Sequence, residues 1–133
     1  MEKSRPFVIL SAAMTLDGKI GKKHTKIKLS SKRDKIRVHK LRAKVDGILI
    51  GKNTLDFDKP MLSVRYARGK NPLRIILDSR GTIKSASKIV KSCREIPTIV
   101  VTTNLISKKN LHRLEKFPLE IIKCWESTVN LKD

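Results

Sequence analysis

Short apolar runs, bounded by glycine or proline and separated by helical or long connections, constrain this chain more than any other feature. Pro6–Met14 is apolar behind a proline, and Ile48-Leu49-Ile50 lies between Gly47 and Gly51. Pro72 introduces Leu73-Arg74-Ile75-Ile76-Leu77, Pro97 introduces Thr98-Ile99-Val100-Val101, and Leu119–Lys123 ends the series. Runs of this length and composition suit strands. Between them, Ser30 or Ser31 caps a helix over Lys32–Lys44 with Val38, Leu41 and Val45 on one stripe. A second helix over Asn104–Lys116 turns Leu105, Leu111 and Leu114 inward. Strands alternating with helices or long connections make an α/β fold with a largely parallel sheet. Ligands of such sheets sit at the carboxyl ends of the strands. The segments to watch are therefore Ser11–Gly18, Gly51–Asp58 and Asp78–Gly81.

The 133 residues are expected to form one domain, 1–133, large enough for a real core. No apolar run approaches the roughly 18 residues of a membrane span. The polar start leads into a short run that continues as a folded pattern through Asp17-Gly18, a turn signal, rather than as a secretory leader. The expected location is the cytoplasm, with Cys93 and Cys124 as free thiols. The net charge of +19 favours polyanions, and non-specific nucleic-acid binding is one reading of it. The cations are spread along the chain without aromatic interleaving, and a phosphorylated substrate or cofactor would profit from the same field.

Individual residues offer little catalytic chemistry. His24, His39 and His112 show no metal-ligand spacing, and each reads as a surface or boundary residue. No nucleophile elbow, P-loop or strand-borne Gly-x-Gly-x-x-Gly occurs, so no metal is expected and the catalytic residues are unknown. Two phosphate-compatible groups follow strands. Gly51-Lys52-Asn53-Thr54 is either the start of a short helix facing an anion or a tight turn. Asp78-Ser79-Arg80-Gly81 places a hydroxyl and a guanidinium at a strand end, where Arg80 either grips a phosphate or is solvated.

Four blocks in order carry a resemblance: Ser11–Ile20 (SAAMTLDGKI), Arg37–Gly51 (RVHKLRAKVDGILIG), Asn53–Arg65 (NTLDFDKPMLSVR) and Asn71–Arg80 (NPLRIILDSR). Together they resemble the diaminohydroxyphosphoribosylamino-pyrimidine reductases of riboflavin biosynthesis, over about Pro6 to Lys132. The resemblance implies a dihydrofolate-reductase-like fold: a mixed, mostly parallel sheet flanked by helices. It implies NADPH-dependent reduction of a ribosylamino group to ribitylamino on a pyrimidine ribosyl phosphate, in a homodimer. NADPH would be met by Ala12 or Ala13, by Thr54 and Asp58, and by Ser79 within Asp78–Arg80, with Arg80 a candidate for the 2′-phosphate. The substrate would be held by Arg42, Leu62 and Arg65, with Lys26 and Lys28 near its phosphate. Asn53 stands where the family has glycine, and Lys59 replaces a second aspartate. The family's glycine-rich Glu-Gly-Gly segment has no counterpart here, so the sheet is expected to be incomplete at its C-terminus. The alternatives are a truncated, inactive reductase or a basic nucleic-acid-binding module.

Overall fold

The computed structural model describes residues 5–21 and 29–127. Its centre is a four-stranded sheet of β1 (Gly47–Gly51), β2 (Leu73–Leu77), β3 (Thr98–Thr102) and β4 (Glu120–Lys123), in that spatial order. Every ladder among the described residues is parallel, with Ile48 opposite Arg74, Ile76 opposite Val100 and Val100 opposite Ile121. Parallel neighbours require crossovers. These carry α2 (Lys52–Asp58), α3 (Lys88–Lys91) and α4 (Lys108–Glu115), while α1 (Lys32–Arg42) precedes the sheet.

Local chemistry sets the helix boundaries. Ser31 Oγ accepts the Asp34 N–H at 3.1 Å and starts α1, and Asp34 in turn accepts from Arg37 Nε at 2.9 Å. That arginine and Ser30 hold the partly exposed Asp34 carboxyl below its usual range. α1 ends at Arg42, two residues earlier than the sequence suggests, because the Lys44 N–H turns to the nearer Leu41 carbonyl. α4 starts only at Lys108, where Ser107 caps the Asn110 N–H at 3.2 Å. Leu105, expected inside that helix, lies in the turn before it and is 48% exposed. There the Thr103 hydroxyl takes the Leu105 N–H and the Thr103 carbonyl takes that of Ile106.

One face of the sheet forms the core. Ile76 and Val100 pack with Leu55 of α2, Ile89 and Val90 of α3, Leu114 of α4 and the loop residues Leu62 and Ile83. Ile48, Ile50 and Ile121 extend this layer to both edges. Arg74 and Thr98 lie in the same layer, both fully or almost fully buried. Among the described residues Arg74 forms no ion pair. Nε donates to Thr98 Oγ1, Nη1 to the Met61 carbonyl and Ser92 Oγ, and Nη2 to the Ile89 and Ile96 carbonyls and Thr98 Oγ1. A guanidinium has five N–H donors, and this arrangement uses them all.

The expected first strand does not form. Among the described residues Pro6–Met14 joins no ladder, and Phe7 and Leu10 are 91% and 92% exposed. Apolar character makes a strand attractive to bury, but only a neighbouring edge can satisfy its N–H and C=O groups. The turn after it does form. Gly18 takes φ +76°, its N–H meets the Thr15 carbonyl at 2.9 Å, and the Thr15 hydroxyl donates to Asp17.

Replacing Arg74 by Met takes the donor from the Met61 carbonyl and leaves the Ile89 and Ile96 carbonyls only the Ser92 and Thr98 hydroxyls. The expected loss is about 3–5 kcal/mol of stability, read from the urea midpoint. Arg74→Lys recovers less than half of it, because an ammonium has only three donors to share among the same acceptors.

Candidate functional site

Two groups of candidate residues lie at opposite ends of the sheet. The first is at the carboxyl edge, where Gly51 stands in register with Leu77. Beyond β1, α2 places Thr54 in its first turn and Asp58 in its last, both exposed. Gly51 gives no side-chain cap to α2, and a Cβ added to it would meet nothing within 4 Å, so this corner is open. Beyond β2, Asp78 is buried at 3% exposure and turns inward, accepting the Ile83 N–H at 2.7 Å and the Thr82 hydroxyl at 3.3 Å. In this structure the carboxylate shapes the loop. Ser79 and Arg80 remain half-buried and exposed beside it.

This loop is fixed from outside. The Ser79 carbonyl accepts the Thr102 and Thr103 hydroxyls at 3.0 and 2.8 Å. Arg113 of α4 donates to the Gly81 and Ile83 carbonyls at 2.8 and 2.6 Å, and Asn110 to the Arg80 carbonyl at 3.0 Å. Gly81 adopts φ +61°, and a Cβ there would come within 2.5 Å of Ile106 Cδ1. Sequence reading passed over Arg113 and Asn110. Each acts about 30 positions away, on a backbone carbonyl that leaves no trace in residue type.

The second group lies at the amino end. α1 stops at Arg42, four residues before β1 begins. β1 spans about 13 Å at roughly 3.3 Å per residue, which separates Arg42 from the carboxyl edge. From Lys59 the chain runs back along the sheet as a strap. Lys59 and Leu62 both take the left-handed conformation, at φ 48° and 55°. Arg74, second residue of β2, holds the strap at the Met61 carbonyl, and Leu62 is buried at 3% exposure. Arg42 then donates to the Ser63 carbonyl at 3.3 Å, and the Arg65 N–H donates to His39 Nδ1 at 2.9 Å. Arg42, Leu62 and Arg65, expected to act together, are thus brought together.

Charge here is unbalanced. Burial, and then Arg65, press the Arg42 guanidinium below the usual arginine range, and it stays charged. Its Nε is buried without a hydrogen-bond partner among the described residues. Neither Arg42 nor Arg65 forms an ion pair among those residues. His39 is 5% exposed, which corrects its reading as a surface or boundary residue. Its ring meets Tyr66 edge-on at 4.8 Å between centroids. Burial first, then Arg42 and Arg65, lower its pKa, so the ring is held neutral.

Other expected residues are not joined to either group. Ala12 and Ala13 are exposed in the unpaired segment, and Lys26, Lys28 and His24 lie outside the described residues. Two shallow surface hollows, along Ser31, Arg33, Arg37 and Lys40 and beside Cys93 and Phe117, contain no candidate residue. No group of three His, Cys, Asp or Glu among the described residues could hold a metal, and no described helix is long and apolar enough to cross a membrane.

The fold and site define a class first. A pyrimidine reductase-like protein from Corynebacterium diphtheriae superposes with a TM-score of 0.74 over 91% of this chain and 56% of its own, at 18% identity. A diaminohydroxyphosphoribosylaminopyrimidine deaminase/5-amino-6-(5-phosphoribosylamino)uracil reductase from Thermotoga maritima gives 0.65 over 90% and 39%, at 26% identity. The dihydrofolate-reductase-like class is borne out. The chain belongs to the RibD C-terminal domain family, whose model it matches over residues 6–133. It is 34% identical over 131 residues to the 2,5-diamino-6-ribosylamino-4(3H)-pyrimidinone 5′-phosphate reductase of Aquifex aeolicus, covering 95% of this chain and 58% of that protein. It is 36% identical over 115 residues to the protein of that name from Methanothermobacter thermautotrophicus, covering 84% and 52%. The chain thus spans a little over half the length of these relatives.

The lowered His39 pKa gives a pH dependence with a definite sign. Below about pH 6.5 the unfolded chain binds a proton at this site that the native ring resists, so stability falls as pH drops through that window. His39→Asn, which does not titrate there, flattens this part of the curve. Urea midpoints of both proteins between about pH 7 and pH 5 check the difference, which cancels the carboxylate contribution.

Proposed function

We propose that the chain carries the two recognition surfaces of a pyrimidine ribosyl phosphate reductase. The strap and α1 would take the phosphorylated substrate, and the open carboxyl edge of the sheet would take NADPH. The observation that carries this reading is the Arg42–Arg65 pair, with a buried guanidinium N–H unmet among the described residues and no carboxylate paired to it. Leaving such a donor unpaired costs about 1–3 kcal/mol, and a phosphate oxygen removes that cost with a charge-assisted bond. Family membership and the named reductases among the relatives support the reaction class.

The carboxyl edge fits a nicotinamide dinucleotide on its own terms. Gly51 leaves room for close approach, and Thr54 and Ser79 offer hydroxyl-bearing residues at the ends of adjacent strands. The Asp78 carboxylate, turned into its loop, adds no neighbour that competes with a phosphate. Bound NADPH would supply a hydride to C1′ of the ring-opened ribosyl imine, whose nitrogen takes a proton to give the ribitylamine and NADP⁺. The chain's part is to orient two molecules, and orientation contributes much of the rate in such reactions. That division of labour accounts for a site built of cations and hydroxyls with no acid–base pair among the described residues. We place this activity in one domain, in the cytoplasm.

Fluorescence titration of the purified chain with NADPH tests the cofactor half. Saturable binding, tighter than for NADH, is expected to weaken about threefold to tenfold in Thr54→Ala and in Ser79→Ala, one hydrogen bond each. Binding matched by polyphosphate and unchanged in both variants would reduce the interaction to general charge.

A further inference from the structure

His39 raises a question that the substrate reading leaves open. It is the one buried residue of α1, in a helix otherwise dominated by exposed lysine and arginine. Its neighbours are two cations, Arg42 one turn along α1 and Arg65 on the strap, with the edge of Tyr66 against its ring. Its Nδ1 accepts the Arg65 backbone N–H, which fixes the proton on Nε2. Serine, asparagine or aspartate could offer an acceptor to that N–H as well. A carboxylate would do so more strongly, and beside two arginines it would also pair with them.

The contacts form a small clamp. Positions 39 and 42, three apart on one face of α1, hold the backbone of residues 65 and 63 respectively. The Arg65 side chain lies 5.8 Å from the Tyr66 ring centroid, so its guanidinium stays close to the same corner. Releasing the Arg65 N–H would free the strap where the second cation is mounted. Supplying a negative acceptor instead would keep the strap in place and cancel the charge it presents.

We propose that His39 is the positioning residue of the Arg42–Arg65 anion site: a neutral acceptor that holds Arg65 beside Arg42 without competing for either guanidinium. This rests on the reading of that pair as the phosphate site. Neutrality is what distinguishes the role, and burial between two arginines keeps the ring in that state.

Three substitutions separate the acceptor from the charge. Asparagine can place an uncharged oxygen near the position of Nδ1, aspartate places a charged one there, and leucine removes the acceptor. The readouts are ribose 5-phosphate affinity by calorimetry at neutral pH, and the Arg65 amide resonance in the free protein. Asn is expected to rescue affinity to within about threefold of the parent, while Leu loses about tenfold or more as the partly buried N–H goes unmet. His39→Asp is the decisive variant. It keeps a hydrogen-bonded Arg65 amide yet loses about tenfold or more in affinity, because its carboxylate takes the arginines. A purely structural histidine predicts no such difference, with Asp binding as well as Asn, and that result overturns the proposal. Parent-like affinity in His39→Leu, with the Arg65 amide shifted, also overturns it. Failure of the parent to bind, or indifference to both Arg42→Ala and Arg65→Ala, would instead remove the phosphate reading and the proposal with it.

Discussion

The structure depends on Arg74, a cation inside the sheet. Burying an unpaired ionised group is costly in a low-dielectric interior, and this chain offsets the cost with six hydrogen bonds to neutral acceptors. Those acceptors come from every part that must be assembled. Thr98 begins β3, Ile89 belongs to α3, Ser92 and Ile96 lie in the turn after it, and Met61 stands on the strap. One side chain thus ties β2 to the next strand, to the crossover between them and to the segment that carries the candidate phosphate site. Leu62, in a strained left-handed conformation immediately after Met61, is held there by burial and by this tether.

The two ends of the sheet are fixed by different elements. At the carboxyl edge, loops are fixed by side chains from α4 and β3 acting on carbonyls, which leaves Ser79 beside an open corner at Gly51. At the amino end, the strap is fixed by Arg74 from below and by α1 from the side. Both fixings are made of backbone carbonyls and N–H groups, so the side chains of Thr54, Arg80 and Arg65 stay exposed or partly so. A rigid frame holding uncommitted polar side chains is what a site that orients two ligands requires.

Much of this architecture was legible in the sequence. The four strands stand where apolar runs flanked by glycine or proline place them, and Ser31, one of the two serines expected to cap α1, starts it. The joining of Arg42, Leu62 and Arg65 followed from the family resemblance rather than from spacing. What escaped depends on distant partners. Pro6–Met14 has the composition of a strand, but composition cannot say whether an edge is available to pair with it. His39 sits among lysines on a helix and looks like a surface residue, and only the strap 26 positions later buries it. Leu105 looked helical until Thr103 and Ser107 claimed the backbone around it.

The central claim is that substrate phosphate and dinucleotide are read at opposite ends of one parallel sheet. Amide chemical-shift mapping of the chain, titrated separately with NADPH and with ribose 5-phosphate, tests it directly. The account predicts that NADPH moves the amides of Gly51–Thr54 and Ser79–Gly81, while ribose 5-phosphate moves those of His39, Arg42 and Ser63–Arg65. Shifts from both ligands spread over the same exposed lysines, including the α1 hollow of Arg33, Arg37 and Lys40, would contradict it and leave a basic surface without a defined site.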